Sequence, residues 1–121
     1  MKGSISVFVL VLLVGAVRLE AHAFLKEAAP GVGSTVQTSP GEVRIRFTDN
    51  VEPAASSIQV LDASGKEVDK RDLHVDRSDH ALLHVSVPRL GAGIYKVVWR
   101  VVSADTHVTN GSFTFRIVRD K

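Results

Sequence analysis

Hydrophobic and polar residues alternate with a period of two over most of the chain beyond residue 30. In the segment EVRIRF, one set of alternate positions holds Val43, Ile45 and Phe47, and the other set holds Arg44 and Arg46. Alternate residues of a strand face opposite sides of a sheet. The segment therefore predicts a strand with one buried face, and the segments SIQVL and ALLHVSV predict two more.

The two longest segments of this kind, LGAGIYKVVWRVVS and NGSFTFRIV, lie in the last third of the sequence. Their aligned residues are large and apolar, which predicts core rather than a binding surface. These residues are Tyr95, Val97, Trp99 and Val101 in the first segment and Phe113, Phe115 and Ile117 in the second. The segment DASGK and the dipeptide Asn110-Gly111 predict turns. No convincing amphipathic helix interrupts the strands, so we expect an all-β fold, an antiparallel β-sandwich or Greek-key barrel.

The amino-terminal end has a different pattern. Lys2 is followed by ISVFVLVLLVGAV, an apolar run of 13 residues. A membrane-spanning helix needs about 20 such residues, so the run favours a cleaved secretory signal over an uncleaved membrane anchor. Small residues before the cut slightly favour cleavage after Ala23, whereas the metal chemistry considered below favours cleavage after Ala21. We therefore expect a signal peptide at 1–21 and a single β-domain at 22–121.

Charge and composition exclude several classes of function. Without Lys2, Arg18 and Glu20 of the signal segment, the formal net charge is +1, which gives no reason to expect nucleic acid as a partner. The chain has no cysteine, so disulfides, zinc-thiolate sites and iron-sulfur clusters are excluded. We expect a monomer that is stabilised by packing alone.

The segment VVSADTHVTNGS contains the most suggestive polar pair, Asp105 and His107. In an extended backbone these two residues point to the same side, so they are either two ligands of one metal ion or an exposed pair at a sheet end. His22, as the first residue of the processed chain, would add its α-amino nitrogen and ring Nδ1 as a chelate. Nitrogen and oxygen donors in a tetragonal arrangement favour Cu(II).

Sulfur content bears on the oxidation state of a bound copper ion. Soft thioether and thiolate ligands select Cu(I). The single methionine is Met1, which leaves with the signal, and there is no cysteine. The processed chain therefore offers no sulfur ligand, and copper bound to it is expected to be Cu(II).

These residues resemble the CopC family of periplasmic copper-binding proteins. The similarity is carried by AHAFLKEAAPGVGS, by VRIRFTDNVEP and above all by LGAGIYKVVWRVVSADTHVTNGSFTF. The resemblance implies a cupredoxin-like, Ig-like Greek-key fold, cleavage that exposes His22, and His22, Asp105 and His107 as copper ligands. Asp49 falls where some members carry a glutamate, and it could orient a ligand or water beside the ion. The methionine-rich segment that gives some members a Cu(I) site is absent here.

Three functions follow as alternatives. The first is a periplasmic Cu(II) carrier for copper resistance or homeostasis, which the resemblance links to a CopD-like inner-membrane copper transporter. The second is a small copper oxidase or oxygenase that uses the same terminal histidine, although a chain of this size shows no aromatic surface for sugar stacking. The third is a metal-free structural or adhesion domain. His74, His80 and His84 are expected to face solvent and to bind metal weakly at most.

Overall fold

The computed structural model describes residues 24–119, which form strands, loops and one short 3-10 helix. The strands are β1 (Leu25–Ala29), β2 (Thr35–Val36), β3 (Glu42–Phe47), β4 (Ser57–Leu61), β5 (His74–Asp76), β6 (Asp79–Ser86), β7 (Gly93–Val102) and β8 (Val108–Ile117), and the 3-10 helix is Pro53–Ala55. Within this part of the chain, no helix has the length and hydrophobicity that crossing a bilayer requires. The expected signal peptide at 1–21 lies outside the described residues.

The strands form two four-stranded sheets. One has the order β1-β3-β6-β5, and the other has the order β2-β8-β7-β4. The pairings are antiparallel except that of β2 with β8, which is parallel. The predicted all-β sandwich is confirmed, and the short β2 makes the second sheet mixed rather than purely antiparallel.

The core lies between the two sheets and contains the alternating residues that the sequence pattern selects. Each strand contributes its inward set, and the two sheets meet where the edge of the Phe47 ring contacts Trp99, with ring centroids 5.2 Å apart. The buried apolar residues include Val43, Ile45, Phe47, Leu83, Val85, Val87, Tyr95, Val97, Trp99, Val101, Phe113, Phe115 and Ile117. The aromatic residues of β7 and β8 are therefore core, as predicted.

The prediction of a turn at Asn110-Gly111 is wrong, because both residues lie inside β8. Gly111 pairs directly with Trp99 of β7. A Cβ atom at position 111 would lie 2.7 Å from Cζ2 of Trp99, closer than any real contact of that kind. Gly111 therefore leaves room for the indole ring above the backbone and does not provide a turn.

The loops at one end of the sandwich are tied together. Residues 48–52 follow β3, and residues 103–107 connect β7 to β8. The amide of Glu52 donates to the carbonyl of Val102, and the amide of Ala104 donates to the carbonyl of Asn50. We call this end of the sandwich the loop end. At the opposite end, Gly93 begins β7 and Ile117 ends β8.

Candidate metal centre

Asp105 and His107 lie in a tight turn at the loop end. The amide of Ser103 donates to the carbonyl of His107 at 2.9 Å, and the amide of Thr106 donates to the carbonyl of Ser103 at 2.8 Å. Thr106 has a φ of 72°, a left-handed conformation that is strained for a β-branched residue. The sequence pattern assumed an extended backbone here, but the pair is held on one side by this turn instead.

The two side chains meet at the protein surface. His107 Nδ1 lies 3.2 Å from Asp105 Oδ1, and each side chain is about half exposed, at 52% and 51%. An imidazole nitrogen and a carboxylate this close together can bind one ion from the solvent side. This arrangement fits the nitrogen and oxygen donor set that divalent copper prefers.

Ser103 supports this pair from below, a role that sequence reasoning missed. Its side chain is fully buried, and its hydroxyl donates a hydrogen bond to Asp105 Oδ1. Its backbone also forms an isolated bridge with Val51 in the neighbouring loop. The available signal was the spacing S-x-D-x-H directly after a buried strand, where a hydroxyl two residues before an aspartate can reach its carboxylate.

The environment of Asp105 favours its ionised form. The hydrogen bond from Ser103, followed by that from the His107 ring, lowers the pKa of Asp105 from an ordinary 3.8 to about 2. Hydrogen bonds to a carboxylate stabilise the charged state over the neutral one. Asp105 is therefore an anionic oxygen donor at any pH at which a histidine can bind a metal.

Asp49 lies in the adjoining loop. Its Oδ1 accepts a hydrogen bond of 2.9 Å from the amide of Asn50, whose carbonyl in turn accepts from Ala104. Asp49 is exposed. The structure thus puts Asp49 on the loop that contacts the Asp105 turn, and its role beside an ion stays a prediction.

The start of the described chain lies against this same loop. The amide of Phe24 donates to Oγ1 of Thr48 at 2.9 Å, and the amide of Thr48 donates to the carbonyl of Phe24 at 2.8 Å. His22, the third predicted ligand, lies outside the described residues. Within residues 24–119, no group of three or more histidine, aspartate or glutamate side chains is arranged to hold a metal ion.

The remaining histidines correct one expectation from the sequence. His84 does not face solvent, because its side chain is only 13% exposed. Its Nδ1 lies 3.1 Å from Glu42 Oε1 and its Nε2 lies 2.9 Å from Asp76 Oδ1. The ring of His74 stacks on it in a nearly parallel orientation, with centroids 5.2 Å apart. Parallel rings direct their nitrogens side by side rather than toward one ion, so we interpret this cluster as a structural contact between β3, β5 and β6.

Comparison with known proteins agrees with the fold of this chain. The model of the CopC domain family matches residues 25–118. The crystal structure of CopC from Methylosinus trichosporium OB3b superposes with a TM-score of 0.78 at 36% identity, covering 83% of this chain and 97% of that one. PcoC, a methionine-rich copper resistance protein from Escherichia coli, gives a TM-score of 0.72 at 29% identity, covering 80% of this chain and 99% of that one.

A longer relative also contains a similar segment. The copper transport protein CutJ of Bacillus subtilis (strain 168) is 31% identical over 98 residues, which are 80% of this chain. The chain spans only 18% of the length of CutJ. The similarity therefore concerns one part of that protein.

Proposed function

The chain belongs to the CopC family, and we propose that it is a periplasmic carrier that holds one Cu(II) ion through His22, Asp105 and His107. In this proposal, the α-amino nitrogen and the ring of His22 and the ring of His107 supply three nitrogens. The carboxylate of Asp105 supplies an oxygen. Asp49 orients a ligand or a water molecule from the adjoining loop.

The observation that carries this proposal is the junction of three chain segments at the loop end. Phe24 is hydrogen-bonded to Thr48, and Asn50, two residues further on, is hydrogen-bonded to Ala104 beside Asp105. Two residues span at most about 7 Å. Phe24 is therefore fixed close to the Asp105 turn. A residue two positions before Phe24 needs to order only a short piece of backbone to reach that turn, which costs little conformational entropy.

The donor set supports the choice of Cu(II). The only sulfur-containing residue in the sequence is Met1, and PcoC, which is described as methionine-rich, differs from this chain in that respect. Without thioether or thiolate donors, the soft ligands that stabilise Cu(I) are missing. Imidazole, amine and carboxylate groups suit the harder divalent ion.

A carrier function is also consistent with the exposure of the site. Asp105 and His107 are half exposed, so an ion between them can pass to another protein without unfolding of the sandwich. A segment like this chain is present in the copper transport protein CutJ. We propose that the carrier delivers its ion to a membrane copper transporter of the CopD type rather than catalysing oxidation.

The test begins with the exported protein. Mass spectrometry is expected to show that the processed chain begins at His22. Titration with Cu(II), followed by electron paramagnetic resonance, is expected to show one tetragonal site with nitrogen hyperfine structure. A processed chain that begins at Phe24, or one that does not bind Cu(II), would overturn the proposal. Copper-loaded protein that oxidises ascorbate faster than free copper does would favour an oxidase instead.

Single substitutions test which residues bind the copper ion. His107→Ala is expected to weaken Cu(II) binding by more than about a hundredfold, since changes to groups that only support a ligand already cost about 10–100-fold. The matched control is His74→Ala, which removes an exposed imidazole from β5 and is expected to leave the affinity unchanged. Insertion of one glycine before His22 moves the free amine without altering residues 24–119. It is expected to abolish the tetragonal signal.

A further inference from the structure

A groove of about 580 Å³ opens at the end of the sandwich opposite to the loop end. It lies between the segment that precedes β3 and the segment that follows β6. Its lining includes two arginines, Arg89 and Arg119, and the polar residues Gln37, Thr38 and Ser39. Among the described residues that line it, none is acidic. Among the described lining residues, the two guanidinium groups face no carboxylate and give this part of the groove a local positive charge.

The Nε atom of Arg119 is the most informative atom about what this groove binds. One of its terminal nitrogens, Nη2, donates to the carbonyl of Leu90 at 2.7 Å, which fixes the guanidinium against the wall that also carries Arg89. Its Nε is buried and has no hydrogen-bond partner within the described part of the chain. A buried N–H group of a charged side chain normally has an acceptor, and no described protein atom supplies one to this group.

The walls of the groove are held in place by the fold. The amide of Leu90 donates to Oγ of Ser39 at 2.8 Å, and the amide of Val87 donates to the carbonyl of Gly41 at 3.1 Å. These bonds join the two segments across the groove. The arginines therefore face a cleft that exists before any ligand binds, which reduces the entropic cost of binding.

We propose that this groove is an oxyanion-binding site, in which Arg119 and Arg89 bind a compact phosphate or carboxylate ligand. The planar guanidinium group matches the oxygens of both anions, and hydrogen bonds between charged partners are the strongest kind. The site is independent of the copper proposal. It lies at the start of β7, whereas Asp105 follows the end of that ten-residue strand, about 30 Å away along the strand.

The test is a nuclear magnetic resonance titration of the processed full chain at constant ionic strength, with inorganic phosphate in one series and succinate in a second. The amides of Thr38, Ser39 and Arg89 and the Nε–H signal of Arg119 are expected to shift and saturate. Saturation with one anion only would identify the ligand class. Shifts that grow linearly with both anions, or that occur only near Asp105, would overturn the proposal.

Three variants complete the test. Arg119→Lys keeps the charge but removes the buried Nε–H, and Arg89→Gln removes an exposed charge. Each substitution is expected to lower the affinity for the anion by at least about tenfold. Arg100→Gln removes an exposed arginine from β7 outside the groove lining and serves as the control with unchanged binding. Equal weakening in Arg89→Gln and Arg100→Gln, with Arg119→Lys unchanged, would show that the anion responds to net charge rather than to the groove, and would overturn the proposal. Because Arg89 is exposed, its variant remains informative even if Arg119→Lys unfolds.

Discussion

Ser103→Ala tests whether the buried hydroxyl under the candidate metal centre positions a ligand. The substitution removes the donor to Asp105 Oδ1 and leaves the backbone bond from Ser103 to His107 in place. Loss of one buried hydrogen bond costs the fold about 1 kcal/mol, which a domain of this size tolerates. The variant is therefore expected to fold, with a site whose carboxylate is no longer held.

The magnitude follows from the pKa of Asp105. The Ser103 hydrogen bond is the largest cause that lowers this pKa from 3.8 to about 2, and the His107 ring is the next. In the variant we expect a pKa between these limits, because the contribution of His107 remains. At pH 3, a carboxyl group with a pKa of 2 is roughly nine-tenths ionised, and one with a pKa of 3.8 is roughly one-seventh ionised. At pH 7 both are fully ionised, so any change in affinity there comes from orientation.

Two measurements separate charge from orientation. A carbon-13 titration of the metal-free variant reports the pKa of Asp105, which is expected to rise. Competition with a chromophoric chelator at pH 7 reports Cu(II) affinity, which is expected to fall by about 10–100-fold. Ser112→Ala, in the exposed row of β8, is the control for loss of a hydroxyl. A Ser103 variant with an unchanged pKa and an unchanged affinity would refute the positioning role.

Two further predictions concern the scaffold. Gly111→Ala is expected to lower the free energy of unfolding by about 1–3 kcal/mol, because its Cβ would overlap the indole of Trp99. The melting temperature should fall by roughly 4–8 °C for each kcal/mol. Gly91→Ala, where a Cβ meets nothing within 4 Å, should leave it unchanged, and equal melting of the two variants would contradict the packing. Hydrogen bonds from the His84 ring and, next, from Ser78 lower the pKa of Asp76 to about 2, so the stabilisation from the ionised carboxylate is present above about pH 4 and is lost as the pH falls toward 2. In His84→Gln the melting temperature should depend less on pH across that interval, and an unchanged dependence would exclude the contact.

The central strands were predictable from sequence because they bury one face. β3 and β4 coincide with the segments EVRIRF and SIQVL, and β6, β7 and β8 follow their alternating segments closely. A strand with one buried face carries its own period-two signal. The short strands β1, β2 and β5 were not predicted. They contribute few residues to the core, and their positions depend on backbone pairing with longer neighbours.

The proximity of Asp105 and His107 was predictable from the sequence, whereas the geometry of the turn that holds them was not. Asp105 and His107 were found from their spacing, and the structure places them 3.2 Å apart. The left-handed Thr106 and the buried Ser103 depend on the closure of a turn between β7 and β8, which a single sequence does not reveal. The burial of His84 escaped prediction for a related reason. Its partners Glu42 and Asp76 come from two other strands, and pairing across a sheet decides that contact.

The double hydrogen bond between Phe24 and Thr48 has a consequence for maturation. That pairing anchors the chain at Phe24. If the chain is processed as proposed, the cleavage position sets how many residues precede this anchor. Cleavage two residues late would leave Phe24 as the terminus, with its amine already beside Thr48 and no imidazole attached. Under the proposed function, a chain cleaved at that position would fold and be exported normally but would not bind Cu(II). The accuracy of proteolysis would therefore decide which exported molecules can act as carriers.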